Sequence, residues 1–544
     1  MRLIKYVFLI IFTVAVSCKP TKTAIESTVE TRVSRATNQV TGEKHNVLFI
    51  AIDDLKPLLN CYGNPQIKTP NIDRLAARST VFLNNHCQQA VCAPSRASLM
   101  TGQFPDHTQV LDLKTLIRKK QPNVLTLPQY FRQNGYETTA FGKIYDLRSV
   151  DKMHDELSWS IPYKNVDPSE FEALSSLSTN VSGKPKGGHY RKPSTVKLYN
   201  QYFKEGKEKG KSPQKYALEH IKPATENIEI DDEAYVDGML AKMGIEQLQQ
   251  FAKSSNPFFL VVGFKKPHLP FVAPKKYWDM YSADDIDLAD YQEKVRNGVD
   301  MAYHNSGELS SYTNDKGEHI YENLDERKLS EAEQRQLIHG YYAFVSYVDA
   351  QVGKLLDELD NQGLTDNTII VLWGDHGWHL GDHGLWCKHT NFEQGTRSPL
   401  LISAPEMSAN STTKPTGLID VFPTLCELNG LSIPSQVESK SLVPLMKNPT
   451  TEIQKYTVHQ FPRGGNNNML MGYGVRTENY RYVQWIKVES RTSVDYESAE
   501  IVGEEFYDYQ NDKNETMNLL NNAKYKSQID VHRAMLHEFF NKMK

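Results

Sequence analysis

Three continuous apolar runs punctuate the chain, and each ends abruptly in polar residues. Residues 47–52 run into Asp53-Asp54, residues 257–264 into Lys265-Lys266-Pro267-His268, and residues 368–373 into Gly374-Asp375-His376-Gly377. Uninterrupted apolar stretches of this length predict strands of a parallel sheet covered on both faces. Between them the period changes. Residues 71–79 place Ile72, Leu75 and Ala76 on one helical face, and residues 331–359 repeat through Leu337, Tyr341, Phe344, Val348, Val352 and Leu355. Strands alternating with helices predict an α/β layered domain, in which ligands gather beyond the carboxyl ends of the strands. The stretch 181–215, rich in Lys, Gly, Pro and Ser, reads as a surface insertion, and 289–323 as a second long loop. After about Gly430 the pattern changes again. Residues 470–476 and 481–486 read as antiparallel strands around a turn, and 529–543 as a helix, giving a smaller C-terminal α+β unit.

The first residues add a targeting segment. Arg2 and Lys5 precede an apolar run at 7–16 that is too short for an ordinary membrane span. Ala15-Val16-Ser17-Cys18 resembles a bacterial lipoprotein cleavage box, with Ala15 where Leu is usual, so lipidation of Cys18 and plain secretion are the two readings. The expected organisation is a signal with its lipobox cysteine at 1–18, a flexible tether at 19–44, a catalytic domain at 45–450 and a C-terminal subdomain at 451–544. Any membrane contact is through the lipid anchor alone. The tether carries Lys19 and Lys22 and no acidic run, which leans towards the periplasm over the outer surface of a bacterium. A formal charge of −4 over 544 residues argues against a nucleic-acid binder. The cysteines, Cys18, Cys61, Cys87, Cys92, Cys387 and Cys426, show no paired short spacing of the zinc or redox kind and identify no disulfide.

Chemistry concentrates at the strand ends. Asp53-Asp54 and Asp375-His376 could each cap a helix, but two such pairs on separate strand ends converge on a hard divalent cation. Cys92 has three readings: a buried structural cysteine, a thiolate nucleophile, or a modified residue. Pro94 suits the first turn of a helix, which puts Cys92 at a helix amino terminus, where negative charge is stabilised, with Arg96 about one turn on.

Cys92-Ala93-Pro94-Ser95-Arg96, followed by Thr101-Gly102, resembles the signature of the type I sulfatases. Residues 46–54, Thr69-Pro70-Asn71-Ile72-Asp73, Gly142-Lys143, Lys266-Pro267-His268-Leu269-Pro270 and Gly374-Asp375-His376-Gly377 follow in that family's order. The resemblance covers about 46–520. Cys61-Tyr62-Gly63, Gln88-Gln89-Ala90-Val91, Ser158-Trp159-Ser160 and Leu380-Gly381-Asp382-His383-Gly384-Leu385-Trp386-Cys387-Lys388 place it nearest the iduronate-2-sulfatase branch. It implies an alkaline-phosphatase-like sandwich with a central, mostly parallel sheet. It also implies one calcium ion held by Asp53, Asp54, Asp375 and His376, with Cys92 oxidised to formylglycine by a formylglycine-generating enzyme or an anaerobic maturase. In the family the hydrated aldehyde offers a hydroxyl that attacks sulfur, and its second hydroxyl lets the sulfated intermediate collapse. Arg96, Lys143 and Lys388 would neutralise the sulfate oxygens, and His268 would protonate the leaving sugar oxygen. The chain departs from the pattern after Gly142-Lys143, where Asp146 stands in place of the usual His. Asp146 is then a base or a loop residue.

The resemblance further implies a sulfated carbohydrate substrate. Iduronate or another uronate 2-sulfate and sulfated rhamnose are the candidates, from glycosaminoglycans or from algal polysaccharides such as ulvan. Arg463, Arg476 and Lys487 are candidates for a sugar carboxylate, and His379, His383 and His389 for the same mouth. The rival readings are a phosphomonoester or phosphonate hydrolase of the same superfamily, and a glycan-binding lipoprotein that has lost activity.

Overall fold

Strand β1 (Asn46–Ile52) is buried along its whole length, as its unbroken apolar sequence requires. In the computed structural model, which describes residues 44–166, 190–465 and 468–543, β1 is an interior strand of a seven-stranded sheet. The other strands are β2 (Thr80–Phe82), β3 (Glu137–Gly142), β4 (Phe258–Phe264), β5 (Thr368–Gly374), β6 (Leu400–Ser403) and β7 (Asn410–Thr412). The order across the sheet is β7-β2-β6-β5-β1-β4-β3, and only β6 runs against the rest. Alternate side chains of β1 face opposite ways. Leu48, Ile50 and Ile52 enter one apolar cluster, and Val47, Phe49 and Ala51 enter another. Each such burial contributes roughly 1.5–3 kcal/mol, which fixes the register, since a one-residue slip would exchange the two faces.

That register aligns the strand ends. Ile52 pairs with both Phe264 and Gly374, and Gly142 pairs with Gly263. The residues that follow, Asp53, Lys265, Asp375 and Lys143, therefore leave the sheet side by side. Three helices bear on the site or its walls. They are α1 (Cys92–Thr101), α4 (Val236–Phe251) and α5 (Glu331–Asn361), the last opened by a capping box between Ser330 and Glu333.

The insertion expected at 181–215 is not a loop where it is described. It forms a helical hairpin, α2 (Pro193–Glu208) and α3 (Pro213–His220), around Tyr199, Ala217 and Ile221. Each helix starts on a proline, and the lysine-rich composition masks the apolar spacing from Val196 to Tyr199 and from Ala217 to Ile221. Residues 289–323 are mostly irregular, with a 3-10 turn at Asp300–Ala302 and a short helix at Gly307–Ser310. Toward the C-terminus a four-stranded antiparallel sheet runs β8 (Thr457–Arg463), β9 (Met469–Arg476), β10 (Tyr480–Val488) and β11 (Ile501–Asp508). Helix α6 (Lys526–Lys542) packs Ile529, Leu536, Phe539 and Phe540 on one face of it. Leu470, Val483 and Trp485 on the other face meet Leu385 and Phe392. The targeting signal, Cys18 and nearly all of the tether lie outside the described residues.

Candidate active site

Four neighbouring strand ends and one helix start build the site. Asp53 and Asp54 follow β1, Asp375 and His376 follow β5, Lys143 follows β3, and the turn after β4 carries His268. Cys92 is the first residue of α1, a helix buried throughout. Gly142 is needed before Lys143 because its φ is +82° and a Cβ there would lie 2.3 Å from the Gly263 carbonyl. Asp54 also takes a left-handed φ of 60°, and its amide donates to Asp375 Oδ1 at 2.9 Å. These two contacts turn the acids of β1 and β5 towards each other.

Around Cys92 the donors crowd together. Its Sγ is 3.5 Å from His376 Nε2 and 3.9 Å from Asp54 Oδ1, and His376 Nε2 is 3.3 Å from Asp54 Oδ1. One donor atom each from Asp54, Cys92, Asp375 and His376 falls within a 4.8 Å span, and Asp53, Asp54 and His268 form a second, overlapping group. His376 Nδ1 donates to the Gly377 carbonyl at 3.0 Å, which leaves Nε2 with its lone pair facing the acids. Hard carboxylate oxygens with one imidazole are the donor set of an oxygen-preferring divalent cation, so these residues fit one.

Cations enclose the acids. Arg96 donates Nε to Asp375 at 2.9 Å, Nη2 to Asp53 at 3.0 Å, and Nη1 to the Lys143 and Ile144 carbonyls at 2.7 and 2.9 Å. Its guanidinium is thus mostly engaged by the protein. Lys143 Nζ reaches Asp53 Oδ2 at 2.7 Å, and Lys388 Nζ lies 2.9 Å from both Asp54 oxygens. Cys387 and His389, on either side of Lys388, both have left-handed φ values, 73° and 76°, a strained arrangement that aims the lysine inward. Burial alone would raise the Asp53 carboxyl, but Lys143 and Arg96 hold it well below its ordinary range. Burial lifts Asp54 to about 7, with Lys388 opposing and the Asp53 charge adding to the rise. Burial, then the Asp53 charge, push the Cys92 thiol well up, so this pocket does not favour a bare thiolate.

Glu308, in the long loop, is a member the sequence does not reveal. One of its oxygens, Oε1, lies 3.1 Å from His268 Nε2 and 3.3 Å from Lys388 Nζ. Although burial would raise it, Lys388 and His268 hold the Glu308 carboxyl below the ordinary glutamate range. His268 donates Nδ1–H to the Leu269 carbonyl at 2.7 Å and keeps Nε2 on the site side, with 31% of its side chain exposed. Burial and then Lys388 lower its pKa to about 4.

Other expected residues lie elsewhere. Both Asp146 oxygens accept from Arg148, at 2.8 Å each, so the carboxylate is held in an ion pair. His379 and His383 are both buried, and His383 borders a cavity of about 420 Å³ beside Tyr303 and His304 that holds none of the residues around Cys92. The ribbon His379–Leu380 with Trp386–Cys387 turns them inward, where His379 bonds Thr390 at 2.8 Å and His383 stacks 4.4 Å from Phe392. His389 packs beside His304, and its amide donates to the Ala90 carbonyl at 3.2 Å. Arg476 pairs with Glu393 at 3.0 Å and lines a separate groove of about 820 Å³ that contains none of the residues around Cys92. Lys487 is exposed, 3.9 Å from Glu500. Arg463 donates to the His389 carbonyl and so braces the segment that carries Lys388.

Acids and a nucleophile-type side chain at the carboxyl ends of such a sheet define the alkaline-phosphatase-like hydrolases. Residues 45–431 match the sulfatase family, and residues 381–542 match the family described as N-sulphoglucosamine sulphohydrolase, C-terminal. The chain belongs to the sulfatase family and is a sulfuric ester hydrolase. It is 31% identical over 502 residues to a sulfatase of Formosa agariphila, spanning 91% of this chain and 86% of that one. It is 30% identical over 508 residues to the iduronate 2-sulfatase of Homo sapiens, spanning 82% and 86%. In fold it is similar to the phosphonate monoester hydrolase of Silicibacter pomeroyi, with a TM-score of 0.68 over 92% of this chain and 96% of that one, at 19% identity.

Proposed function

We propose that this sulfatase removes sulfate from a sulfated carbohydrate carrying a uronic acid or rhamnose, with Cys92 converted to formylglycine and one calcium ion bound. The observation that carries the reading is the placement of Cys92 at a buried helix start, 3.5 Å from His376 and inside a ring of acids and lysines. The likeness to the human iduronate 2-sulfatase supports a uronate-type sugar.

Asp53, Asp54, Asp375 and His376 would hold the cation together with residue 92. When bound, the cation supplies Lewis acidity beside a hydroxyl of the modified residue. Lys143 and Lys388 face the position of the sulfate group and offset the charge that grows on its oxygens. Arg96 acts mainly by fixing Asp53, Asp375 and the carbonyls around Lys143, since four of its five N–H donors are already engaged. His268 holds Nε2 towards the leaving oxygen, with Glu308 beside it as the acceptor that keeps a proton there oriented. Asp146, clamped by Arg148 and held below the ordinary carboxylate range despite its burial, is a poor base and is read as a loop anchor. The signal and lipobox pattern at 1–18 supports export, with anchoring through Cys18. Loss of fatty-acid labelling in Cys18→Ser tests the anchor.

The decisive experiment is sulfate release from defined sulfated uronate and rhamnose oligosaccharides by the matured enzyme, beside phosphate and phosphonate esters. The reading expects a sulfated sugar to be the best substrate. A preference for the phosphorus esters would overturn it.

A further inference from the structure

The described segment from Arg191 to Lys222 carries nine Lys or Arg against three Glu, a net +6, in a chain whose overall charge is −4. The remainder of the protein is correspondingly acidic, so this surplus is local to the α2–α3 hairpin. Lys197, Lys204, Lys207, Lys211 and Lys215 are exposed. Where an acid is near, the pairing is loose. Lys204 and Glu208 are 3.8 Å apart at 80% and 63% exposure, and Lys215 and Glu219 are 3.8 Å apart at 78% and 53%. Such pairs leave most of the positive field in place.

The hairpin's position gives that field a use. The segment leaving it, Lys222 to Ala224, is pinned to the two segments that carry Glu308 and His268. On one side, Lys222 Nζ donates to Ser311 Oγ at 2.8 Å, and the Thr313 amide donates to the Lys222 carbonyl at 2.8 Å, just beyond the Gly307–Ser310 turn that holds Glu308. On the other, the Phe271 amide donates to the Ala224 carbonyl at 2.7 Å, three residues after His268. Between α3 and the Glu308 turn opens a groove of about 620 Å³, where Lys215, Lys222, Ser310 and Ser311 offer cations and hydroxyls beside Glu219 and Glu322. A sulfated glycan chain presents the complementary pattern, with repeated anions on a backbone of hydroxyls.

We propose that the α2–α3 hairpin is an electrostatic platform for the sulfated glycan chain beyond the sugar being desulfated. This rests on the carbohydrate reading of the same site. The platform contributes by drawing in and retaining a polyanion, so its effect grows with the number of charges on the substrate and fades with salt.

The test uses the full matured enzyme and K207E/K211E/K215E, which brings the segment from +6 to 0, with the corresponding Lys→Gln variant as a gentler control on folding. Two readouts are taken: the salt at which each protein elutes from immobilised heparin, and kcat/KM on one sulfated sugar offered alone and at the end of a longer sulfated chain. The proposal expects earlier elution and a fall of roughly tenfold on the long chain at low salt, nearly erased by high salt, with the single sugar unaffected. The Gln variant should fall between. Unchanged elution, or equal losses on short and long substrates, would overturn the platform. Failure of the wild type to cleave any sulfated sugar would count against the carbohydrate reading alone, since elution still decides the platform.

Discussion

Beneath the C-terminal sheet, two arginines and two glutamates close on one another. Arg481 gives Nη2 to Glu393 and Nη1 to Glu515, both at 2.6 Å, and Arg476 gives Nε to Glu393 at 3.0 Å. Burial would raise Glu393, but Arg476 and its neighbours hold it well below its ordinary range. Around Cys92 the charges do not close. Four carboxylates, from Asp53, Asp54, Asp375 and Glu308, face the cations of Arg96, Lys143 and Lys388, and His268, His376 and Cys92 stand among them. Both clusters are buried and both are charged. The difference teaches that burial of charge marks structure as readily as function, whereas an unbalanced excess of acids beside metal-type donors marks a site that binds something.

The comparison can be broken by substitution. Cys92→Ala should reduce sulfate release by at least about 10⁴-fold with little change in Tm, because the nucleophile is removed and the fold is not. Lys388→Ala should lower kcat by roughly 10²–10³-fold, the range for a lost cation at a developing charge. Glu308→Gln should lower kcat by about tenfold and alter the pH profile while KM moves less, because it releases His268 and Lys388 without removing either. Arg481→Leu should do the reverse, costing about 3–5 kcal/mol of stability by stranding Glu393 and Glu515, while kcat of the folded fraction is retained. Denaturant titration and steady-state kinetics on the same preparations separate these outcomes. If Arg481→Leu also lost kcat in its folded fraction, the closed cluster would not be merely structural.

Acid should act on the interior as a whole. Burial lowers His304 and His389 from 6.5 to about 3, so both are neutral in the folded protein and protonate more readily once unfolded. The unfolded state then binds more protons between those values. Their stabilisation is complete above about pH 6.5 and is lost as pH falls towards 3. Tm measured from pH 7 down to pH 4 should fall steadily, and a flat profile would contradict the burial of these rings. The smallest effect belongs to Asp146→Asn, for which kcat should change less than about threefold if Arg148 alone uses the carboxylate.

Much of this was legible before any fold was known. The strands over 47–52, 257–264 and 368–373 announce themselves because burial on both faces leaves no polar position. The acids that follow are legible as the first residues free of that constraint. Glu308 was not legible. It lies in a one-turn helix inside a long segment without periodicity, and only the fold brings its oxygen between His268 and Lys388. Arg476, His379 and His383 show the opposite limit. Their residue types suit a substrate mouth, but the inward turn of the 379–387 ribbon buries His379, while Arg476, paired with Glu393, and His383 border cavities that hold none of the residues around Cys92. The lysine-rich hairpin was hidden by its composition, because exposed lysines are interleaved with the apolar positions that set its helical period.

The central claim is that the cluster around Cys92 is incomplete without a divalent cation and the cluster around Glu393 is complete. Calorimetric titration of calcium into chelator-treated enzyme tests this directly. The account predicts one tight site in the wild type, abolished in D54A/D375A and retained in Arg476→Leu. Equal calcium binding by D54A/D375A and wild type, or loss of binding in Arg476→Leu with its fold intact, would contradict it.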